Sequence, residues 1–493
     1  MPTRPPPASP ASGRGGARRD LISGPIAGTL LLFALPTLGS NVLQSLNGSI
    51  NAIWVGRFLG EAALAATSNA NIIMFLMFGA VFGFGMAATI LVGQAFGRDD
   101  EDAARRAFGS AVGLVMGGAV LIAILGWILA PQILTLLATP GDAMALALTY
   151  LRVIFLGLPA MMLLILVMMA LRGAGDSTTP LWFMGLSVLF DSGLNPLLIA
   201  GIGPFPRMGI AGSATSTLVG NFVAVIGLVW FIYARDLPLR LRGREWRYLI
   251  PDPALIRTIL TKGLPMGTQM IVMSTAGLTM VGLVNREGVE TVAAYGVTQQ
   301  VWTYIQMPAL AIGAAVSAMA AQNIGAGRWD RVGRITRSGV LTNLALTGAM
   351  VALITLFDRP VLGIFLTGDS PALPIAEHVS LVASWGFILF GVTMVLFSTV
   401  RANGAVMAPL GILFVALYPV RIGFAYALLP SWGADALWWS FPLGSAATMV
   451  MAIFYYRFGK WREIHLAPRL EEAECEERSH ADAEPAGMFK PTG

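Results

Sequence analysis

The chain lacks most of what a water-soluble protein of its size uses. Of its 493 residues only 12% are Asp, Glu, Lys or Arg, about half the share of ordinary globular domains. One cysteine, Cys475, excludes a disulfide scaffold, and 56 glycines without a period exclude collagen. The three histidines, His378, His465 and His480, are scattered, so neither a metal site nor a catalytic triad has converging ligands. There is no Walker sequence, which excludes ATP hydrolysis by the chain itself, and Gly79, Gly83 and Gly85 have neither the lysine nor the strand of a phosphate loop. They read as close helix-packing positions. Basic patches interleaved with exposed aromatics are also missing, so the net charge of +5 is no sign of nucleic-acid binding.

What the chain has is apolar length. Hydrophobic residues make up 56% of it, and mean hydropathy is +0.71. A bilayer-spanning helix needs ~20 largely apolar residues. Twelve such stretches fall at about 28–52, 62–90, 109–135, 145–170, 180–201, 210–233, 257–283, 290–318, 335–357, 378–400, 408–430 and 435–457. Unpaired strands in lipid would leave backbone groups unsatisfied, so the expected fold is an all-α polytopic membrane protein of twelve transmembrane helices.

All but six of the 32 Lys and Arg fall in the even-numbered loops, the two tails or the span ends that adjoin them. Cytoplasmic loops retain such residues, so both termini are expected in the cytoplasm. The opposite side holds Arg57, Arg207, Arg286 and Arg359; Arg152 and Arg421 lie within spans near their ends, where snorkelling is the ordinary explanation.

The longest connection, Ala234–Asp252, splits the spans six and six. At an offset of 228 or 229, Leu35-Pro36 matches Leu264-Pro265, Gln94 with Gly97 matches Gln322 with Gly325, and Arg172, Gly175 and Pro180 match Arg401, Gly404 and Pro409. Six is even, so both halves insert the same way round and the implied pseudo-two-fold axis runs along the membrane normal. Secondary transporters that rock two lobes about a central site use this arrangement. The expected organisation is a disordered basic arm over 1–20, a six-helix lobe over 21–233, a basic cytoplasmic linker over 234–256, a second six-helix lobe over 257–460 and a disordered acidic tail over 461–493.

Polar residues kept on one face of a span line a cavity or tie helices together. Asn41, Gln44, Asn47 and Asn51 recur on one stripe of the first span. Of 27 acidic residues, only Asp191 sits midway along an apolar span. An ionised carboxylate there costs several kcal/mol, so Asp191 is expected to take up a proton reversibly; a permanently hydrogen-bonded acid is the alternative. Asn195 lies one turn on, and Thr217 and Asn221 have the same spacing in the sixth span. The second half offers Gln269, Gln299, Thr303 and Gln306 but no carboxylate, so ion coupling is assigned to the first half, to Asp191 with Asn195. Pro36 and Pro265 remove a helix hydrogen bond inside the first span of each half and are candidate hinges or static kinks.

These residues resemble the multidrug and toxin extrusion (MATE) family, in particular its DinF-like bacterial branch. The resemblance is carried by Leu35-Pro36, Ile50-Asn51-Ala52-Ile53-Trp54-Val55-Gly56 with Gly60, Gln94 with Gly97, Tyr150-Leu151-Arg152, Leu171-Arg172-Gly173-Ala174-Gly175-Asp176 with Pro180, and Asn195-Pro196 before Gly209-Ile210-Ala211-Gly212, and it covers roughly residues 20–460. It implies a V-shaped pair of lobes that exports amphipathic, often cationic, organic compounds in exchange for protons or sodium ions. Such a chain is a non-enzymatic antiporter of the bacterial inner membrane, working as a monomer without a cofactor beyond the transported ion. Members often carry an aspartate where this chain has Asn51, and the branch commonly shows an asparagine and then an aspartate where this chain has Asp191 and then Asn195; the acid typical of the seventh span in other branches is replaced near Met273. Asp191 is therefore expected to inherit the coupling role. A lipid-linked precursor flippase of the same superfamily or another twelve-helix secondary transporter is the alternative.

Overall fold

The computed structural model describes residues 20–136, 141–366 and 370–464. The arms expected at 1–20 and 461–493 fall mostly outside these residues. The tail begins later than its sequence suggests: Trp461 is fully buried, stacks on Tyr456 and accepts a hydrogen bond on its carbonyl from Asn403 Nδ2 at 2.7 Å. A large indole with an apolar place to go outweighs the polar run that follows it.

The N-terminal lobe consists of α1 (Ile26–Leu59), α2 (Glu61–Gly97), α3 (Glu101–Leu136), α4 (Gly141–Gly173), α5 (Thr178–Ala200) and α6 (Ile210–Ala234). The C-terminal lobe follows with α7 (Pro253–Val284), α8 (Val289–Gly325), α9 (Trp329–Leu356), the short α10 (Asp358–Leu362), α11 (Ala372–Ala383) with α12 (Gly386–Ala402), α13 (Met407–Val415) with α14 (Gly423–Trp432), and α15 (Asp435–Phe458). Counting the pairs α11/α12 and α13/α14 as one span each gives twelve. Their lengths correspond to roughly 35 to 55 Å, enough to cross a hydrocarbon core of about 30 Å. The helices run through Pro36 and Pro265 without a break. The irregular spans lie elsewhere: α11 and α12 meet at 43°, and a π-helical stretch, Ala416–Ile422, separates α13 from α14.

The basic linker is ordered against α3. Arg105 pairs with Glu245 at 3.0 Å, Tyr248 donates to Asp102 at 2.7 Å, and Gly109 and Gly113 leave room for the backbone of Tyr248 and Leu249. Asp252 then caps α7 by accepting from the Ala254 amide at 2.9 Å, with Pro253 at the first helical position.

The described contacts between the lobes run from the middle of the bundle to its basic end, where α1 starts and α15 finishes. Glycines make this seal possible. A Cβ on Gly83 would lie 2.2 Å from the Gly263 carbonyl oxygen, one on Gly97 2.1 Å from that of Gln322, and one on Gly325 2.1 Å from that of Gln94. The two glutamines then cross between the lobes: Gln94 Nε2 donates to Ala402 O at 2.7 Å, and Gln322 Nε2 to Gly173 O at 2.9 Å. Gln94 and Gln322 are repeat mates, as are Gly173 and Ala402, so the seal obeys the two-fold relation of the lobes.

Candidate functional site

Asp191 projects from α5 into the interior of the N-terminal lobe, where it is 2% exposed. Its neighbours come from α1 and α6. Asn47 Nδ2 donates to Asp191 Oδ2 at 2.8 Å, Ser216 Oγ to Oδ1 at 2.7 Å, and Thr217 Oγ1 lies 3.1 Å from both oxygens. Among the described residues no Lys or Arg pairs with the carboxylate. One turn along α5, Asn195 donates to Asn51 Oδ1 at 2.7 Å, and Ser213 donates to the same oxygen at 2.6 Å. Asn47 and Asn51, like Asp191 and Asn195, stand four residues apart and so share a face of their helix. Gly220 lets α6 come this close: a Cβ there would lie 2.8 Å from Ser187 O and 3.3 Å from Asp191 Cβ.

The chemistry of these partners is two-way. Hydroxyls both donate and accept, and Ser216 and Thr217 have a second acceptor ready, the Ser213 carbonyl, at 2.8 and 3.3 Å. With Asp191 ionised they donate to it; with Asp191 protonated they can turn to Ser213 and accept its proton instead. The Asn47 amide has no such freedom at Oδ2, because NH₂ only donates. Protonation at that oxygen therefore removes one of the ties between α1 and α5, leaving Ser192 Oγ on Asn47 Oδ1 at 3.3 Å and Asn195 on Asn51.

The structure sorts the sequence-selected residues into three groups. Asp191, Asn195, Asn47, Asn51 and Thr217 form the buried cluster, with Asn221 one turn away accepting from Ser187 at 3.2 Å. A small crevice lined by Ile154, Gly157, Met161, Thr217, Leu218 and Asn221 adjoins it. The polar stripe of α1 is divided: Gln44 is exposed and Asn41 half-buried, both outside the cluster. Gln299, Thr303 and Gln306 are half-buried on α8 in the other lobe. Gln269, expected in the cavity, is instead buried at the seal, where its Nε2 donates to Val406 O at 3.3 Å and its Oε1 accepts from Arg401 at 3.3 Å. Ser213 and Ser216 were not singled out from the sequence; a run of hydroxyls, Ser213, Thr215, Ser216 and Thr217, in an otherwise apolar span was the available signal.

Two pseudo-two-fold lobes of six membrane helices, with a lone acid held inside one of them, define a secondary transporter architecture; among the described residues no three His, Cys, Asp or Glu are placed to hold a metal ion. The MatE family profile matches the chain twice, over residues 36–197 and 265–427. The chain belongs to this family, whose members are multidrug efflux transporters rather than enzymes. It is 34% identical to the probable multidrug resistance protein YoeA of Bacillus subtilis over 432 residues, covering 87% of this chain and 93% of that one. It is 30% identical to YpnP, another probable multidrug resistance protein of the same organism, covering 91% and 98%. A solved structure of a multidrug resistance MATE family transporter in an outward-facing conformation superposes with a TM-score of 0.82 at 20% identity, covering 89% of this chain and 96% of that chain.

Proposed function

We propose that the protein is a proton-coupled antiporter that exports amphipathic, predominantly cationic, organic compounds by alternating access. It would act as a monomer in the bacterial inner membrane with the basic end of the bundle, and hence both termini, in the cytoplasm. In that orientation the glutamine-crossed seal closes the path to the cell interior.

The observation that carries the reading is a buried carboxylate with no counter-cation among the described residues, held by hydroxyls of Ser216 and Thr217 that can serve either of its protonation states. Asp191 lies inside the lobe rather than on the cleft, so it acts on the cargo through α1. In the ionised form it holds α1 through Asn47. A proton arriving from outside neutralises it, removes its bond to Asn47 and so loosens α1, which stays tied through Ser192 and Asn195, with Pro36 as the weak point of its hydrogen-bond ladder. The cleft then loses the α1 surface that includes Gln44 and Asn41, and substrate leaves outward. The driving force is adequate: one charge crossing 100 mV is worth about 2.3 kcal/mol, and coupling needs only a differential affinity between two states.

The test is export of a cationic dye from proteoliposomes under an imposed pH or sodium gradient. Wild type should respond to the pH gradient, and Asp191→Asn, folded to the same melting temperature, should fall to the rate without a gradient. Unchanged proton-driven export by that variant removes Asp191 from the mechanism.

A further inference from the structure

The residues that lead into α1 cross to the other lobe. Leu21 is fully buried, in one apolar cluster with Leu30 and Phe33 of α1 and Ile312 and Met319 of α8. The four successive carbonyls of residues 21–24 then accept hydrogen bonds from side chains of the C-terminal lobe. Asn323 Nδ2 donates to Leu21 O at 2.9 Å, Arg328 Nη1 to Ile22 O at 3.1 Å, and Arg331 Nη2 to Ser23 O at 3.0 Å and Gly24 O at 2.8 Å. Gly24 supplies the turn this needs: its φ of +81° lies in the left-handed region and lets two neighbouring carbonyls face one guanidinium nitrogen.

Among the described residues the N-terminal lobe supplies no side chain to these carbonyls, and α1 has no side-chain cap, since Pro25 stands at its N-cap position. Asp20 folds the segment on itself by accepting from the Ile22 and Ser23 amides at 2.8 and 2.9 Å. The segment is therefore shaped locally but anchored through the opposite lobe. That anchorage continues the seal. Asn323 follows Gln322, whose side chain crosses to Gly173 O, so adjacent side chains of α8 hold both the end of α4 and the entry to α1.

The entry to α7 is built differently. At the repeat offset of 228 Leu21 is level with Leu249, whose carbonyl lies against Gly113 of α3. There the hold comes from side-chain pairs, Arg105 with Glu245 and Tyr248 with Asp102, and Asp252 caps the helix. Both first helices are tied at their basic ends to the opposite lobe, but α1 enters uncapped, through carbonyls that the other lobe satisfies. Ser23 and Gly24 are exposed, so water can replace the arginine when the lobes part. A hydrogen bond exchanged for one to water has a small net worth, which makes the contact reversible.

We propose that residues 20–24 are a latch: they clasp α8 and α9 while the glutamine-crossed seal is shut and let go of both when the basic side opens. The proposal rests on the alternating-access reading above and adds the contact that sets how often the basic side opens.

The test is double electron–electron resonance on full-length protein in nanodiscs, with Cys475→Ser and spin labels on one of two cysteine pairs. Arg235→Cys with Arg457→Cys spans the basic ends of the two lobes; Ala27→Cys with Arg334→Cys spans α1 and α9 and leaves every latch contact in place. Both pairs are read from pH 5 to pH 8. Arg331→Gln should raise the ratio of long to short distances by roughly tenfold or more in both pairs, the scale of a hydrogen bond from a charged group. Arg331→Lys, which keeps the charge but loses the planar fork, should fall between, and Leu21→Ala gives the readout if the arginine variants do not fold. Wild-type ratios in these variants overturn the latch. So does a lobe pair that opens while the second pair keeps one distance, since the segment would then travel with the C-terminal lobe. A lobe pair fixed at one distance in every protein and at every pH removes the alternating-access reading as well.

Discussion

The two lobes share a layout and differ in what they hold at its centre. In the N-terminal lobe α5 and α6 enclose an acid among hydroxyls and amides; in the C-terminal lobe the matching helices enclose a guanidinium among aromatic rings. A carboxylate can be neutralised by a proton inside the membrane, whereas a guanidinium cannot, so of these two central groups only Asp191 is able to change charge. At the seal the halves behave alike, each glutamine reaching a carbonyl of the other lobe at the matching position. Symmetry is kept where the lobes close on each other and lost at the centre of each lobe.

That contrast can be broken at several points. The largest effect is expected at the seal: Gly97→Ala and Gly325→Ala each place a methyl against a backbone oxygen of the opposite lobe. Because backbone cannot step aside like a flexible side chain, both should reduce dye export in proteoliposomes to near background, and wild-type rates in either would show that the lobes do not need this approach. The glutamine substitutions sharpen the symmetry itself. Gln94→Ala and Gln322→Ala each leave a buried carbonyl without its donor, a cost of about 1–3 kcal/mol to the closed state. Hydrogen exchange at residues 93–98 and 321–326 should rise by similar amounts in the two variants; a strong effect from one alone would mean that one lobe dominates closure.

The smallest expected effect lies outside the spans. Asp358 in α10 is pushed up to about 6, chiefly by burial, with the nearby Glu377 adding to the shift. A raised carboxyl favours the folded protein while it is protonated. Its contribution is therefore full below the ordinary value of 3.8 and is lost as pH rises through about 6. Melting temperature should fall modestly between pH 4 and 7, and Asp358→Asn should flatten that decline; an identical slope in the variant would assign it elsewhere.

Much of this architecture was legible before any coordinates. Long apolar runs mark the spans because the bilayer imposes a minimum length, and the constant offset marks the repeat because equivalent positions bear equivalent packing. Asp191 stood out as the only acid within a span. What the sequence could not reveal was pairing across helices. Ser213 and Ser216 look like ordinary small residues until α6 is laid on α5, and Gln269 looks like Gln299 until one is found buried against Arg401 and the other half-buried beside Tyr295. Gln94 and Gln322 were visible as repeat mates, but not as crossed ties. Arg421 was visible as a charge within a span, but not its place in a π-helical stretch with the guanidinium over the ring of Phe441.

The central claim is that Asp191 gains and loses a proton inside the N-terminal lobe and thereby releases or holds α1 through Asn47. Infrared difference spectroscopy of the purified protein across a pH titration reads the carboxyl directly. The account predicts a protonated-carboxyl band that appears as pH falls, is absent from Asp191→Asn, and titrates at a different pH in Asn47→Ala. A spectrum in which Asp191→Asn removes no carboxyl band at any pH would contradict it.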